Sequence, residues 1–343
     1  MRYSLSKVNL KRNFKGIIAL TGFCILLFGI RYTDDWYGYL YFFNNPETSP
    51  DLLFKYLSIY FNNNGFSYVN LFQFHVLAIG FCLSYFITRF SSYPIFILFC
   101  FLLIRFIPIT NQIRYYLAFG FFLMSVYFFL ISNNRIKAFL LFILAGLSHI
   151  IIIPLFIIIL IFPRVKKYTL KKLLHALIIT SIIVLIIYEL TLLLLTGHFS
   201  DYTQVRFATS IIGGFYLTLP ILMVYIYIFN YFINITKKIS VLKNDIKFKF
   251  LFILSVYSAP LLLLGFVNQI IVHRFVSIFS IVWFIYFIYP LSINPKDKQF
   301  ILIRLFSLLL YLISVTYFIP IVFFGENDFI VKALLSLKSI GVI

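Results

Sequence analysis

The sequence predicts an all-α, polytopic integral membrane protein, with about nine spanning helices plus a re-entrant helical hairpin in one membrane domain over residues 1–343. Three observations lead there. The chain is 62% hydrophobic and 11% charged, with a mean hydropathy of +1.02, whereas a soluble domain is about 45–50% apolar and roughly 25% charged. Its apolar residues fall in long runs nearly free of charge, which in a bilayer means helices rather than a barrel. Basic residues gather at the ends of those runs. The polar stretches, about 15–35 residues long, are too short for an independent core.

A net charge of +19 raises the question of a polyanionic partner. The placement of the charge argues against nucleic acid, because the positive-inside rule already explains basic residues flanking membrane spans. Cys24, Cys82 and Cys100 all lie in apolar runs and read as small core residues, with neither disulfide nor metal spacing.

In chain order, Arg2, Lys7, Lys11, Arg12 and Lys15 hold the N-terminus in the cytoplasm. Span 1 runs about Phe14–Ile30. No small-residue cleavage site follows it, so it reads as retained. An extracytoplasmic segment, opened by Arg31-Tyr32-Thr33-Asp34-Asp35-Trp36-Tyr37, extends to Gly65. Within it, Leu52, Leu53, Tyr56, Leu57 and Tyr60 give Asp51–Phe61 the apolar spacing of a helix lying in the interface. Further spans are Phe66–Thr88, Ser92–Ile109 and Tyr115–Ser132.

The run Ala138–Phe162 is broken by Ala145-Gly146-Leu147-Ser148-His149. Each arm, at 1.5 Å per residue, reaches roughly 16–18 Å, too short to cross, so the run is expected to dip in and return to the cytoplasmic side. Spans Leu173–Leu195, Gly214–Asn234, Phe250–Asn268, Phe275–Ile293 and Gln299–Phe324 complete the set, with loops Thr196–Gly213 and Asn268–Arg274 and the C-terminus outside. In this topology 20 Lys or Arg lie inside and 7 outside, while 7 of the 10 acids lie outside; the opposite biases support the hairpin.

The site candidates lie on the outer side. Arg31, Arg114, Arg206 and Arg274 oppose the general charge bias at headgroup depth, and the planar guanidinium fork suits phosphate. Their plainer reading is snorkelling or local pairing, as of Arg31 with Asp34 or Arg206 with Asp201. Asp34 and Asp35 can accept a proton from a sugar hydroxyl, or simply cap a helix. His149 can act as a base or hydrogen-bond donor, or be a packing histidine satisfied by carbonyls. His75 and His175 have no polar pattern around them and read as packing residues. His198, His273 and Glu189 stay open. Most of the 25 Tyr and 45 Phe are lipid-facing bulk or interface belt; Trp36 and Tyr37, beside the aspartates, are the exceptions.

These features, in this order, resemble the EpsG/Wzy-type bacterial polysaccharide polymerases. The matching residues are Arg31, Asp34-Asp35 and Tyr37 after the first span, Asn111-Gln112-Ile113-Arg114 with Ala118, Ala145-Gly146-Leu147-Ser148-His149, and His273-Arg274-Phe275 before a late span. A large soluble loop, which some polymerases carry, is not seen, and no C-terminal motif aligns. The resemblance implies a multi-pass protein of the bacterial cytoplasmic membrane. It would transfer a growing chain from undecaprenyl diphosphate onto the non-reducing end of a new lipid-linked repeat at the outer face. Asp34, Asp35 or His149 would deprotonate the acceptor, and Arg31, Tyr37, Asn111, Gln112, Arg114, Arg206 and Arg274 would bind substrate, with no metal or cofactor. A chain-length regulator and a flippase of the same pathway are further candidate partners. Two other classes stay in view: a lipid-linked oligosaccharide flippase, and a membrane acyltransferase that modifies surface glycans. The sparse polar residues concentrate in the outer half, which favours chemistry on one side.

Overall fold

The computed structural model describes residues 2–30, 33, 35–153, 155, 169–194, 211–266 and 278–318, and among them there are helices and no strands. The chain divides into two compact units, Met1–Phe156 with Leu309–Ile343, and Ile157–Leu308. Five described helical segments are long and apolar enough to cross a membrane: Tyr68–Phe90, Ile113–Leu130, Thr218–Lys238, Ile246–Leu263 and Pro295–Thr316. Shorter apolar helices cover Asn13–Phe28, Pro94–Phe106 and Ser280–Ser292. The protein is an all-helical membrane protein.

The first unit contains α1 (Arg2–Phe28), α2 (Trp36–Asn44), α3 (Leu52–Asn63), α4 (Tyr68–Phe90), α5 (Pro94–Asn111), α6 (Ile113–Leu130) and α7 (Arg135–Ser148). Helices α4, α5 and α6 each begin within two residues of the predicted span. Helix α1 packs on α4 and α5, α4 on α6, and α6 on α7. Small residues allow the close crossings. A Cβ at Gly80 would stand 2.7 Å from the Phe23 ring, and one at Gly120 would stand 2.8 Å from Cys82 Cβ. Without a hydrophobic drive between helices in lipid, such contacts supply the association.

Gly120→Ala is therefore expected to cost about 1–3 kcal/mol, the usual penalty of overpacking, because Cys82 Cβ yields only if its backbone moves. Gly22, with nothing within 4 Å of its would-be Cβ, is the control. Thermal unfolding midpoints in detergent should fall for Gly120→Ala and hold or rise for Gly22→Ala; equal midpoints would show that the α4–α6 crossing has room for a methyl group.

The segment between α1 and α4, expected to lie outside, differs from expectation by one helix. It forms α2 and α3, joined through a 3-10 turn at Pro46–Thr48. Trp36, Tyr39 and Phe43 are the buried face of α2, whereas Tyr37 and Tyr41 are exposed. Aromatic residues all around this helix hide its period in the sequence. In α3 the anticipated stripe is turned away from the protein, with Leu52, Tyr56 and Tyr60 exposed, while Phe54 and Ser58 face inward. Gly65, at φ 71°, ends α3: its N–H bonds the Asn62 carbonyl at 3.0 Å, and Phe66 N–H bonds Phe61 at 2.9 Å. This left-handed closure is one that glycine adopts without strain. Asn62 Nδ2 donates to the Phe43 carbonyl at 2.7 Å and ties the ends of α2 and α3 together.

The second unit holds α8 (Leu170–Leu194), α9 (Ile211–Lys238), α10 (Ile246–Val256), α11 (Ser280–Ile288) and most of α12 (Lys298–Ile313). The predicted continuous span Phe250–Asn268 is α-helical only to Val256, then a 3-10 turn over Ala259–Phe266; Pro260 cannot donate the next helical bond. Its core is an aromatic stack, with Phe232 and Phe252 centroids 4.1 Å apart and Tyr231 and Phe287 4.2 Å apart. Among the buried polar tips, Tyr225 Oη pairs with Ser258 Oγ at 2.6 Å, and Trp283 Nε1 donates to the Ser255 carbonyl at 2.9 Å. The three cysteines are free and buried, as expected.

Candidate functional site

The site lies where α2, α3, α6 and the end of α7 meet. Trp36 anchors α2 by edge contacts to Tyr68 at 4.7 Å and Phe72 at 5.2 Å on α4. One helical turn on, Tyr39 faces the same way. Helix α5 hands over to α6 through a single residue, Gln112 at φ −123°, ψ 48°, which places Arg114 in the first turn of α6. The sequence break expected at Gly146 falls three residues later: α7 continues through Gly146, and the chain turns extended at His149 (φ −164°, ψ 113°) before a 3-10 turn at Ile150–Ile152. A helical glycine costs about 1 kcal/mol but keeps its hydrogen bonds, so Gly146 alone does not end the helix. At 14 residues, α7 is about 21 Å long, short of a bilayer core of about 30 Å. Past Leu155 the return arm lies outside the described residues.

Asp51 joins these elements. Its Oδ2 is 2.8 Å from Arg114 Nη1 and its Oδ1 is 3.1 Å from His149 Nδ1. The Asp51 side chain is 2% exposed, Arg114 13% and His149 17%: the carboxylate is sealed and its two partners retain access. Arg114 lies among three rings, Tyr39 at 4.8 Å, Phe42 at 5.2 Å and Phe54 at 5.5 Å, which favour a guanidinium electrostatically. Tyr115 meets the His149 ring edge-on at 5.6 Å. Burial pushes the Tyr39 phenol up to about 12, against the pull of Arg114, so it stays protonated and able to donate.

An ionised carboxylate only accepts. The tautomer that fits this contact carries its hydrogen on His149 Nδ1 and leaves Nε2 as the proton acceptor. A carboxylate orienting a histidine in this way is the arrangement that hydrolases use to aim a general base. Arg114 adds a positive charge beside that base.

Of the residues the sequence nominated, Arg114 and His149 are brought together. Asn111 and Gln112 lie at the α5–α6 junction, next to Arg114 in the chain. Asp35 is exposed at the start of α2, and its charge is felt at Tyr39. Tyr37 is 65% exposed, on the side of α2 away from Tyr39. Arg31, Asp34, Arg206, His273 and Arg274 lie outside the described residues. His75 has a packing role: buried, it places Nδ1 2.9 Å from the Leu71 carbonyl. Asp51 and Tyr39 escaped the sequence reading. An aspartate just before an apolar helix reads as an N-cap, and Asp51 has that place, yet its side chain makes no capping bond.

Helices sized for a bilayer and a buried acid–arginine–histidine cluster together define a membrane protein with one polar centre built between α3, α6 and the end of α7. The chain matches the EpsG family over residues 16–331 and belongs to it. Membership supports a role in polysaccharide polymerisation in general terms. No curated protein and no solved structure matches the chain.

Proposed function

We propose that the protein is a polysaccharide polymerase of the bacterial cytoplasmic membrane. It joins undecaprenyl-diphosphate-linked oligosaccharides at the outer face, with His149 as general base, Asp51 as the residue that positions it, and Arg114 as the group that neutralises the leaving diphosphate. The observation that carries this reading is Asp51 bridging Arg114 and His149. An acceptor sugar hydroxyl attacks the anomeric carbon of the donor chain and its proton passes to His149 Nε2. The bond from that carbon to the diphosphate oxygen breaks, and its electron pair leaves with the lipid diphosphate. The donor is already activated, so the protein needs a base and a stabilised leaving charge. Arg114 supplies the latter, and the reading calls for no metal. Asn111, Gln112, Arg31, Arg206 and Arg274 are proposed as further substrate contacts, and Asp34 and Asp35 as alternative bases.

Arg114→Lys tests it. Lysine keeps the charge and loses the planar fork, so normal insertion with few or no long chains is expected. The glycan profile of cells complemented with the variant separates the classes: single repeats mark a lost polymerase, cytoplasmic accumulation a lost flippase, and full-length chains lacking acyl groups an acyltransferase. Chains of normal length and amount would reduce Arg114 to a boundary charge.

The side of the membrane is tested separately. After Cys24, Cys82 and Cys100 are replaced, Glu47→Cys should react with a membrane-impermeant maleimide in intact spheroplasts and Lys172→Cys should not. Labelling of Lys172→Cys would move the loop before α8 outside and overturn the hairpin topology.

A further inference from the structure

Asp51 stands where a helix N-cap stands, with the extended backbone of one (φ −103°, ψ 118°), and its carbonyl accepts the Lys55 N–H at 3.0 Å. Its carboxylate nevertheless leaves the α3 amides alone and divides its oxygens between Arg114 and His149. The Arg114 contact is close at 2.8 Å but not aligned as a hydrogen bond. The carboxylate thus has two places within its own reach: the ion pair it makes, and the first-turn N–H groups of α3 that an N-cap aspartate ordinarily serves. Arg114 and His149 keep partial access from outside the cluster while Asp51 is sealed, so an incoming anion meets the cations first.

We propose that Asp51 is an internal stand-in for the diphosphate group: it neutralises Arg114 in the empty site and swings to cap α3 when a diphosphate takes its place. The exchange keeps every charge partnered at each stage, which a buried guanidinium requires. In the exchange Oδ2 changes partner, from Arg114 to the α3 amides, while Oδ1 keeps His149 Nδ1, so the base stays oriented with the anion bound and its ring senses the turn of the carboxylate. This inference rests on the proposed role of Arg114 as the diphosphate contact, and concerns how that contact is held before substrate arrives.

The test uses the full-length protein in lipid nanodiscs, titrated with inorganic pyrophosphate and, separately, with farnesyl diphosphate. Asp51→Asn retains the size and a capping oxygen but removes the competing charge. Both anions are expected to bind it roughly tenfold more tightly than the wild type, the factor that corresponds to 1.4 kcal/mol of lost competition, and Arg114→Gln should abolish binding in either background. Unchanged or weaker binding by Asp51→Asn would overturn the proposal. A second readout needs no Asp51 variant and so is immune to its misfolding. With ¹⁵N-labelled histidine, the His149 signal, identified by its loss in His149→Gln, should move as pyrophosphate is added to the wild type; a signal that stays put while the anion binds shows that the carboxylate never turns. Tighter binding of farnesyl diphosphate than of pyrophosphate assigns the site to a lipid-linked diphosphate, and the reverse order to a free one. Neither readout requires polymer synthesis, so a protein that shows the exchange yet makes no polymer refutes the polymerase reading alone.

Discussion

Asp51→Leu should remove most of the folded protein from the membrane fraction. The substitution leaves the Arg114 guanidinium, 13% exposed among the rings of Tyr39, Phe42 and Phe54, without its carboxylate. Breaking a buried pair from one side costs about 3–5 kcal/mol, a large share of a total stability of about 5–15 kcal/mol. Removing both charges together differs in kind, because an apolar pair of similar volume in place of a buried ion pair is often neutral or stabilising. The double variant Asp51→Leu, Arg114→Met is therefore expected to recover protein level while making no long polymer. Fluorescence-detected size exclusion would report the level and a glycan ladder the product. Wild-type accumulation of the single variant would show that the pair does not hold α2 and α3 in place.

His149→Gln carries the largest expected effect on activity. Glutamine retains much of the size and a donor for Asp51, but it cannot accept and carry a proton. The loss of a general base lowers a rate by roughly 10²–10⁴-fold, while protein level should hold, since the extended residue at the end of α7 makes its backbone bond to Ala145 at 3.0 Å whatever the side chain. Polymerisation would be followed in membranes supplied with lipid-linked repeats. Normal chains from His149→Ala would remove His149 from the chemistry and leave Asp35, at the start of α2, and Asp34, outside the described residues, as the candidate bases. Loss of the protein itself in His149→Gln would assign it a packing role.

The class, and several of the helices, were legible because lipid imposes a demand that every short window reports. A backbone in hydrocarbon must satisfy its own hydrogen bonds, so composition and run length along Tyr68–Phe90 or Ile113–Leu130 announce helices. Arg114 and His149 stood out for the same reason: polar groups in such runs are costly and need a cause. The short helix α2 was less legible, because tyrosines cover its exposed face as densely as aromatics fill its buried one.

Tertiary structure alone decided what those two residues share. The bond from Asp51 to His149 joins positions 98 apart in the chain, and nothing local to Ser49-Pro50-Asp51 separates a buried bridge from an ordinary helix cap. The choice depends on where α3 comes to rest against α4 and α7, and on the crossings at Gly80 and Gly120 that draw α1, α4 and α6 close enough for Arg114 to reach it. A side chain's local options are written in its neighbours in sequence; which option it takes follows from the charges that packing brings within 3 Å or so.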